Sequence, residues 1–299
     1  MTVSAPAKVN FTLDVYGTRP DGYHALRSVV MPISLADTLE IETTDDGSIA
    51  SDTGYDDDLC VKAARVLRSQ ISNLKSQMGG PNQTVGPNPC RKGASIRVTK
   101  RIPAGGGLGG GSADAAAVLR ALNELWGLNL PRQELAELGA QVGSDVPTLV
   151  LGGAVLMEGR GERVSRISSS IERLNDQTIN LVLVNPDVHS STKEVYAACS
   201  ARAADAPSPT DAMIAALKTG DLAQIAAAVS NDLQSAAVRL HPEIADALAS
   251  LRTAGAQGVM MSGSGSCVFG FAKNAALAAK IAAKLESRGL QSVVCQTLA

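Results

Sequence analysis

The first forty residues alternate apolar and polar positions in short runs: Lys8-Val-Asn-Phe-Thr-Leu-Asp-Val15, Ser28-Val-Val-Met-Pro-Ile33 and Asp37-Thr-Leu-Glu-Ile-Glu42. A period of two puts successive side chains on opposite faces. With turn residues at Gly17, Pro20-Asp-Gly22 and Asp45-Asp-Gly47, the pattern predicts strands joined by turns. Residues 59–71 carry apolar positions at helical spacing and predict a helix. The Gly-, Pro- and Asn-containing stretch 77–93 predicts an exposed loop, and 94–100 another strand. Six of the seven positions 105–111 are glycine, and an Ala-rich helix follows at once over 112–125, ending at Gly127. A helix over 132–142 leads into Gly143-Ser-Asp-Val-Pro147, then an apolar hairpin-like stretch to 164 and a polar connection over 165–178. The second half predicts a strand over 179–184, then helices over 192–200, 210–218, 222–229 and 243–253. A Gly/Ser turn after Met261, a helix over 274–288 and a short last strand complete it. This layered, not strictly alternating, order favours an α+β fold. We place a domain boundary in the polar connection, giving 1–164 and 165–299.

Composition narrows the function. The 299 residues fit two domains at roughly 150 residues each. Only 3% are aromatic, so a core must come from Ala, Val, Leu and Ile. With 27 basic against 29 acidic residues, a net of −2, the chain lacks the basic excess of a nucleic-acid binder. The basic run 97–101 reads as ordinary solvated charge. The longest apolar stretch, 146–157, is broken by Gly152-Gly153 and falls far short of the roughly 20 residues of a spanning helix, so no membrane partner is expected. Cys60, Cys90, Cys199, Cys267 and Cys295 are odd in number and widely spaced, which indicates neither a disulfide framework nor a zinc site. The first residues lack a signal-peptide pattern, and a reducing cytoplasm is the expected compartment.

The glycine segment is the strongest local signal. Glycine lets main chain approach a ligand with no Cβ in the way, and a loop opening a helix aims unpaired N–H groups at one spot. Phosphate suits such a site; a flexible turn is the bland alternative. The segment is not a Walker loop, since no Lys follows the glycines, and the parallel βαβ unit of a Rossmann motif is missing. Other residues are ambiguous alone. Asp145 fits a general base or a helix-end residue. Lys8 fits a catalytic cation or an edge charge. His24 fits a reader of a base edge or a surface turn. Ser262-Gly-Ser-Gly-Ser266 is a second phosphate-sized loop, and Asn231-Asp-Leu233 fits helix-end capping. Asp114, in the first turn of the helix after the glycines, favours the helix dipole but would repel a phosphate unless turned away or bridged by magnesium.

Together these motifs resemble the GHMP small-molecule kinases: Ala5-Pro-Ala-Lys-Val-Asn10, then Pro103 through Ala113, then Met261-Ser-Gly-Ser-Gly265, in order. Arg19-Pro-Asp-Gly-Tyr-His24 and Gly143-Ser-Asp-Val-Pro147 resemble the branch of that family acting on a cytidine-diphosphate alcohol. The resemblance runs from Ala5 to about Phe271. It implies a two-domain fold with the active site in the cleft between the domains. It also implies ATP-dependent phosphorylation of the 2-hydroxyl of 4-diphosphocytidyl-2-C-methyl-D-erythritol, with ATP carrying magnesium. Another family member acting on homoserine or a mevalonate-like alcohol is the alternative, and a non-catalytic nucleotide-binding protein is a further one. By resemblance Asp145 takes the hydroxyl proton, Lys8 holds carboxylate and hydroxyl and stabilises developing charge, and Asn10 positions the substrate. Tyr23 and His24 take the cytosine, opposed by Tyr196. Pro103, Ala104, Gly105, Gly106, Gly107, Leu108, Gly109, Gly110, Gly111, Ser112 and Ala113 wrap the ATP phosphates. No metal ligand is assigned, and the expected assembly is a monomer or homodimer. The chain departs from the family at Asp57-Asp58-Leu59, where Asn-Asn-Leu is common, and in a longer 77–93 loop.

Overall fold

A computed structural model describes residues 1–19, 22–78, 92–167, 178–203 and 206–298. Two compact units interleave along the chain: residues 1–6, 36–101 and 110–151 form the first, and 7–35, 102–109 and 152–299 the second.

In the first unit the latter part of β3 (His24–Thr44) pairs antiparallel with β5 (Gly93–Thr99), from Thr38 opposite Thr99 to Thr44 opposite Gly93. The short β4 (Ile49–Ser51) runs parallel to β5. Four helices complete it: α1 (Leu59–Met78), α2 (Gly110–Leu125), α3 (Arg132–Gly139) and α4 (Val146–Leu151). Helix α2 buries Ala113, Ala115, Ala116, Ala117 and Ala121, small side chains that let α1 and α4 pack close to its backbone. Trp126, just past α2, is buried, and its indole N–H has no hydrogen-bond partner among the described residues.

In the second unit β2 (Thr12–Thr18) and β6 (Val155–Gly159) flank the first part of β3, and β7 (Arg163–Arg166) extends β6, all antiparallel. β9 (Ser230–Asn231) adds a two-residue parallel pairing to β2. A second sheet has the order β10 (Gln257–Met261), β11 (Val268–Ala272), β8 (Asn180–Val184), β12 (Ser292–Gln296), every pair antiparallel. Helices α5 (Thr192–Ala197), α6 (Pro209–Thr219), α7 (Leu222–Ala228), α8 (Gln234–Leu240), α9 (Glu243–Ala254) and α10 (Ala275–Glu286) belong here. The chain's three phenylalanines meet in one core, with the Phe11 ring 5.0 Å from Phe271 and 6.0 Å from Phe269.

The α+β reading agrees with this architecture. The first strand, β1 (Thr2–Asn10), starts six residues earlier than the alternation predicted. Helix α1 continues to Met78, into the expected loop; residues 79–91 of that loop and 168–177 of the polar connection lie outside the described residues. The start of the expected hairpin is instead the short helix α4, with Pro147 in its first turn, and the hairpin proper is β6–β7. An apolar run buried on every side has no periodicity to separate helix from strand. Helix α8 was not expected.

Candidate active site

The second unit gathers the N-terminal motif, the first glycines and the Gly/Ser turn. Lys8 and Asn10, two apart on β1, share a face. Both are buried, and burying an ammonium costs several kcal/mol unless acceptors take its protons. Lys8 Nζ donates to Asn10 Oδ1 at 2.7 Å and to the Gly107 carbonyl at 2.8 Å. Asn10 Nδ2 donates to Ser28 Oγ at 2.8 Å, which turns the amide oxygen toward Lys8. Ser262 Oγ accepts from the Asn10 N–H at 3.3 Å and donates to the same Gly107 carbonyl at 3.0 Å. The Lys8 N–H donates to the Leu108 carbonyl at 3.0 Å, and the Cys267 N–H to that of Gly106 at 3.1 Å, so β1 and the Gly/Ser turn clamp the loop.

Gly107 has φ +71°, and a methyl there would stand 2.1 Å from the Ser262 carbonyl oxygen. The bare backbone is what lets the loop approach the turn so closely. Asn231 braces the turn: its Nδ2 donates to the carbonyls of Met261 (2.9 Å) and Gly263 (2.8 Å), while its Oδ1 accepts from Leu233 N–H ahead of α8. Capping and site-building therefore fall to opposite ends of one amide. Burial pushes the Cys267 thiol up to about 12, so it is no nucleophile at neutral pH.

His24 and Tyr196 also meet in this unit, with ring centroids 5.6 Å apart and planes 27° off parallel. The Tyr16 carbonyl, 3.2 Å from His24 Nδ1, orients the imidazole. Tyr23 is 58% exposed, with the Arg160 guanidinium 5.5 Å from its ring centroid.

The first unit holds the rest. Ser112 and Ala113 lie in the first turn of α2, where backbone N–H groups have no helical partner. Asp145 immediately precedes α4, and its carbonyl accepts from Leu149 N–H at 3.3 Å. A methyl on Gly143 would stand 3.8 Å from Ser112 Oγ, so the turn carrying Asp145 lies beside the start of α2. Asp114 turns inward, 3% exposed, with Lys100 Nζ 2.6 Å from Oδ2. Burial raises its carboxyl to about 6 despite that ammonium. Asp58 caps α1, Oδ1 accepting from Cys60 N–H at 2.7 Å and Oδ2 from Thr53 Oγ at 2.7 Å. Aspartate and asparagine cap helices equally well, so the departure from the family pattern at this position keeps the cap.

Sequence reading missed Ser28, which fixes Asn10, and His189, whose Nδ1 would stand 2.8 Å from a methyl on Gly105. A serine inside the apolar run 28–33 was the available signal for the first; His189 carried none. Among the described residues no group of three or more His, Cys, Asp or Glu stands where it could hold a metal, and no helix is long and apolar enough to cross a membrane.

Known proteins place this geometry in a family. The GHMP kinases N terminal domain matches residues 58–153, and the GHMP kinases C terminal domain matches 213–291. A 4-diphosphocytidyl-2-C-methyl-D-erythritol kinase from Pelotomaculum thermopropionicum is 40% identical over 99% of this chain and 98% of its own length. One of that name from Caldicellulosiruptor saccharolyticus is 36% identical over 96% and 93%. A crystal structure of 4-(cytidine 5'-diphospho)-2C-methyl-D-erythritol kinase aligns over the whole of both chains, with TM-score 0.75 and 33% identity. Homoserine kinase from Cytophaga hutchinsonii aligns over 100% of this chain and 94% of its own at TM-score 0.71 and 19% identity, a likeness of fold. Both domain models and end-to-end similarity of this degree lead to one conclusion: the chain belongs to the 4-diphosphocytidyl-2-C-methyl-D-erythritol kinase family of the GHMP kinases.

Proposed function

We propose that this chain transfers the γ-phosphoryl group of ATP to the 2-hydroxyl of 4-diphosphocytidyl-2-C-methyl-D-erythritol, in non-mevalonate isoprenoid synthesis. The observation that carries the reading is the end-to-end similarity to relatives of that name. Homoserine or mevalonate-like alcohols would not call for the His24–Tyr196 pair, whose ring faces and imidazole nitrogens suit cytosine.

Phosphoryl transfer asks mainly for positioning and charge stabilisation. In this reading Asp145 accepts the hydroxyl proton as oxygen attacks phosphorus, and ADP leaves. Lys8 orients the hydroxyl and stabilises the charge that develops; its amine is pre-aimed by Asn10 and Gly107, so little reorganisation accompanies the step. Asn10 positions the acceptor, while Tyr23, His24 and Tyr196 hold the cytosine. The backbone amides of 103–113 take the phosphates, as the close-packed glycines and the start of α2 suit. Magnesium would be carried by the ATP phosphates and would offset their charge; among the described residues no carboxylate cluster stands where it could hold the ion. The two functional halves are 1–164 and 165–299, working in the cytoplasm as a monomer or homodimer on a small-molecule substrate.

An ADP-release assay comparing the diphosphocytidyl alcohol with homoserine and mevalonate tests the reading, and turnover is expected with the first. Preference for either other alcohol, or no turnover at all, overturns it. Asp145→Asn is expected to lower kcat by about 10²–10⁴, the usual worth of a general base. Near-normal turnover would remove that role from Asp145.

A further inference from the structure

Lys100, which looks in the sequence like one of several solvated charges, sits between two buried carboxylates of the first unit. Its Nζ lies 2.5 Å from Asp37 Oδ2 and 2.6 Å from Asp114 Oδ2, and the two carboxylate side chains are 0% and 4% exposed. The other oxygen of Asp37 accepts the Arg101 N–H at 2.5 Å. By contrast Arg97, three residues earlier, is 60% exposed in its pairing with Glu40.

The positions of these groups along the chain give the cluster its meaning. Lys100 and Arg101 end the segment that enters the glycine loop, and Asp114 lies in the helix that leaves it. Asp37 on β3 holds both the backbone at the loop's entrance and the ammonium that reaches its exit. We propose that Lys100 is a positioning residue for ATP: by bridging Asp37 and Asp114 it fastens together the two ends of the loop whose amides meet the phosphates. Fixing a loop's ends removes part of the conformational freedom that ligand binding would otherwise have to remove. The inference rests on the proposed role of 103–113.

The same chemistry predicts a pH response. Facing Asp114 are Asp37 from β3, Lys100 beyond β5 and Cys60 from α1, with Asp58 two residues before Cys60. Burial, with Asp114 and Asp58 nearby, raises the Cys60 thiol so far that it stays neutral. Burial also lowers Lys100, but its hydrogen bonds to Asp114 and Asp37 outweigh this and raise its pKa, so it stays charged. Asp114, held up to about 6, is the group that titrates, and protonating it loosens the tie to Lys100.

The test uses the full chain carrying Lys100→Met, Lys100→Arg or Asp114→Asn. Lys100→Met is expected to raise the ATP KM about tenfold while the KM of the diphosphocytidyl alcohol stays within about twofold; Lys100→Arg recovers ATP affinity to within about threefold. A merely structural lysine would lower thermal stability and leave both constants of the folded fraction alone. Unchanged ATP KM in folded Lys100→Met, or an equal rise in both constants, overturns the proposal.

Should Lys100→Met not fold, Asp114→Asn decides. The wild-type ATP KM should rise relative to that variant as pH falls through about 6. The comparison cancels the titration of ATP itself, and parallel profiles overturn the proposal. Calorimetric ATP binding by the same proteins separates this result from the identity of the acceptor: an inactive wild type counts against the function, equal ATP affinities against Lys100.

Discussion

Gly107→Ala is the sharpest probe of how the loop is built. The new methyl would stand 2.1 Å from the Ser262 carbonyl oxygen and 3.1 Å from that of Gly265. Carbon and carbonyl oxygen ordinarily come no closer than about 3.3 Å, so something must move by about 1.2 Å. The atoms in the way are backbone of a turn braced by Asn231, which cannot swing aside as a side chain would. Holding alanine at φ +71° costs about 1–2 kcal/mol. If the loop moves instead, the Gly107 carbonyl loses its bonds from the Lys8 ammonium and Ser262 hydroxyl, worth about 1.5–3 and about 1 kcal/mol. The expected total is about 3.5–6 kcal/mol. Gly289→Ala is the control in the same unit: its φ is +79°, yet nothing lies within 4 Å of the added methyl, so only the backbone strain remains. Urea denaturation should separate the two variants by about 2.5–4 kcal/mol, the worth of the two lost hydrogen bonds. Turnover should fall about 100-fold or more in Gly107→Ala, since a displacement of about 1 Å disarms Lys8, and stay normal in Gly289→Ala. If the two variants were equally stable and equally active, the close approach of loop and turn would be refuted.

Two further outcomes follow from the same geometry. Asp114 binds its proton more tightly folded, near 6, than in an ordinary carboxyl near 3.8, so folding takes up a proton between those values. Its contribution to stability is best at pH 4 and below, declines as pH rises toward 6, and at pH 8 amounts to a cost of about 3 kcal/mol. Asp114→Asn should therefore stabilise the protein at pH 8 by up to that amount and flatten the pH 4–6 decline; a loss of stability at pH 8 would contradict the burial argument. Tyr196→Ala, which removes the ring stacked with His24, should raise the KM of the diphosphocytidyl alcohol about 2- to 12-fold, the worth of one aromatic pair, with the ATP KM unchanged. An effect on the ATP KM alone would detach this pair from cytosine.

Features with a local rule behind them could be read from the sequence. Six glycines followed by an Ala-rich helix can hardly be anything other than a loop opening into that helix, and Lys8 and Asn10 share a face by the period of a strand alone. What escaped depends on distant partners. Lys100 resembles its neighbour Arg97 until Asp37, 63 residues away, is brought against it. Asp114 posed a conflict with ATP that spacing could not resolve, because the resolution is an inward side chain and a partly exposed ammonium that pairs with it. Helix α4 was hidden because all six of its residues are buried, which erases the alternation of polar and apolar faces. The interleaving of the two units along the chain leaves no mark in composition at all.

Trp126 is the chain's single tryptophan, and it lies in the first unit at the far end of the rod whose other end begins at the glycines. All three phenylalanines sit in the other unit. Indole emission is thus a built-in lamp for one unit only, and the burial of the ring, 3% exposed, should make it glow toward the blue. Melting followed by that light reports the scaffold of α2 and is blind to the Phe11 core. Any lag between it and far-ultraviolet ellipticity would time the two units separately, with no label attached.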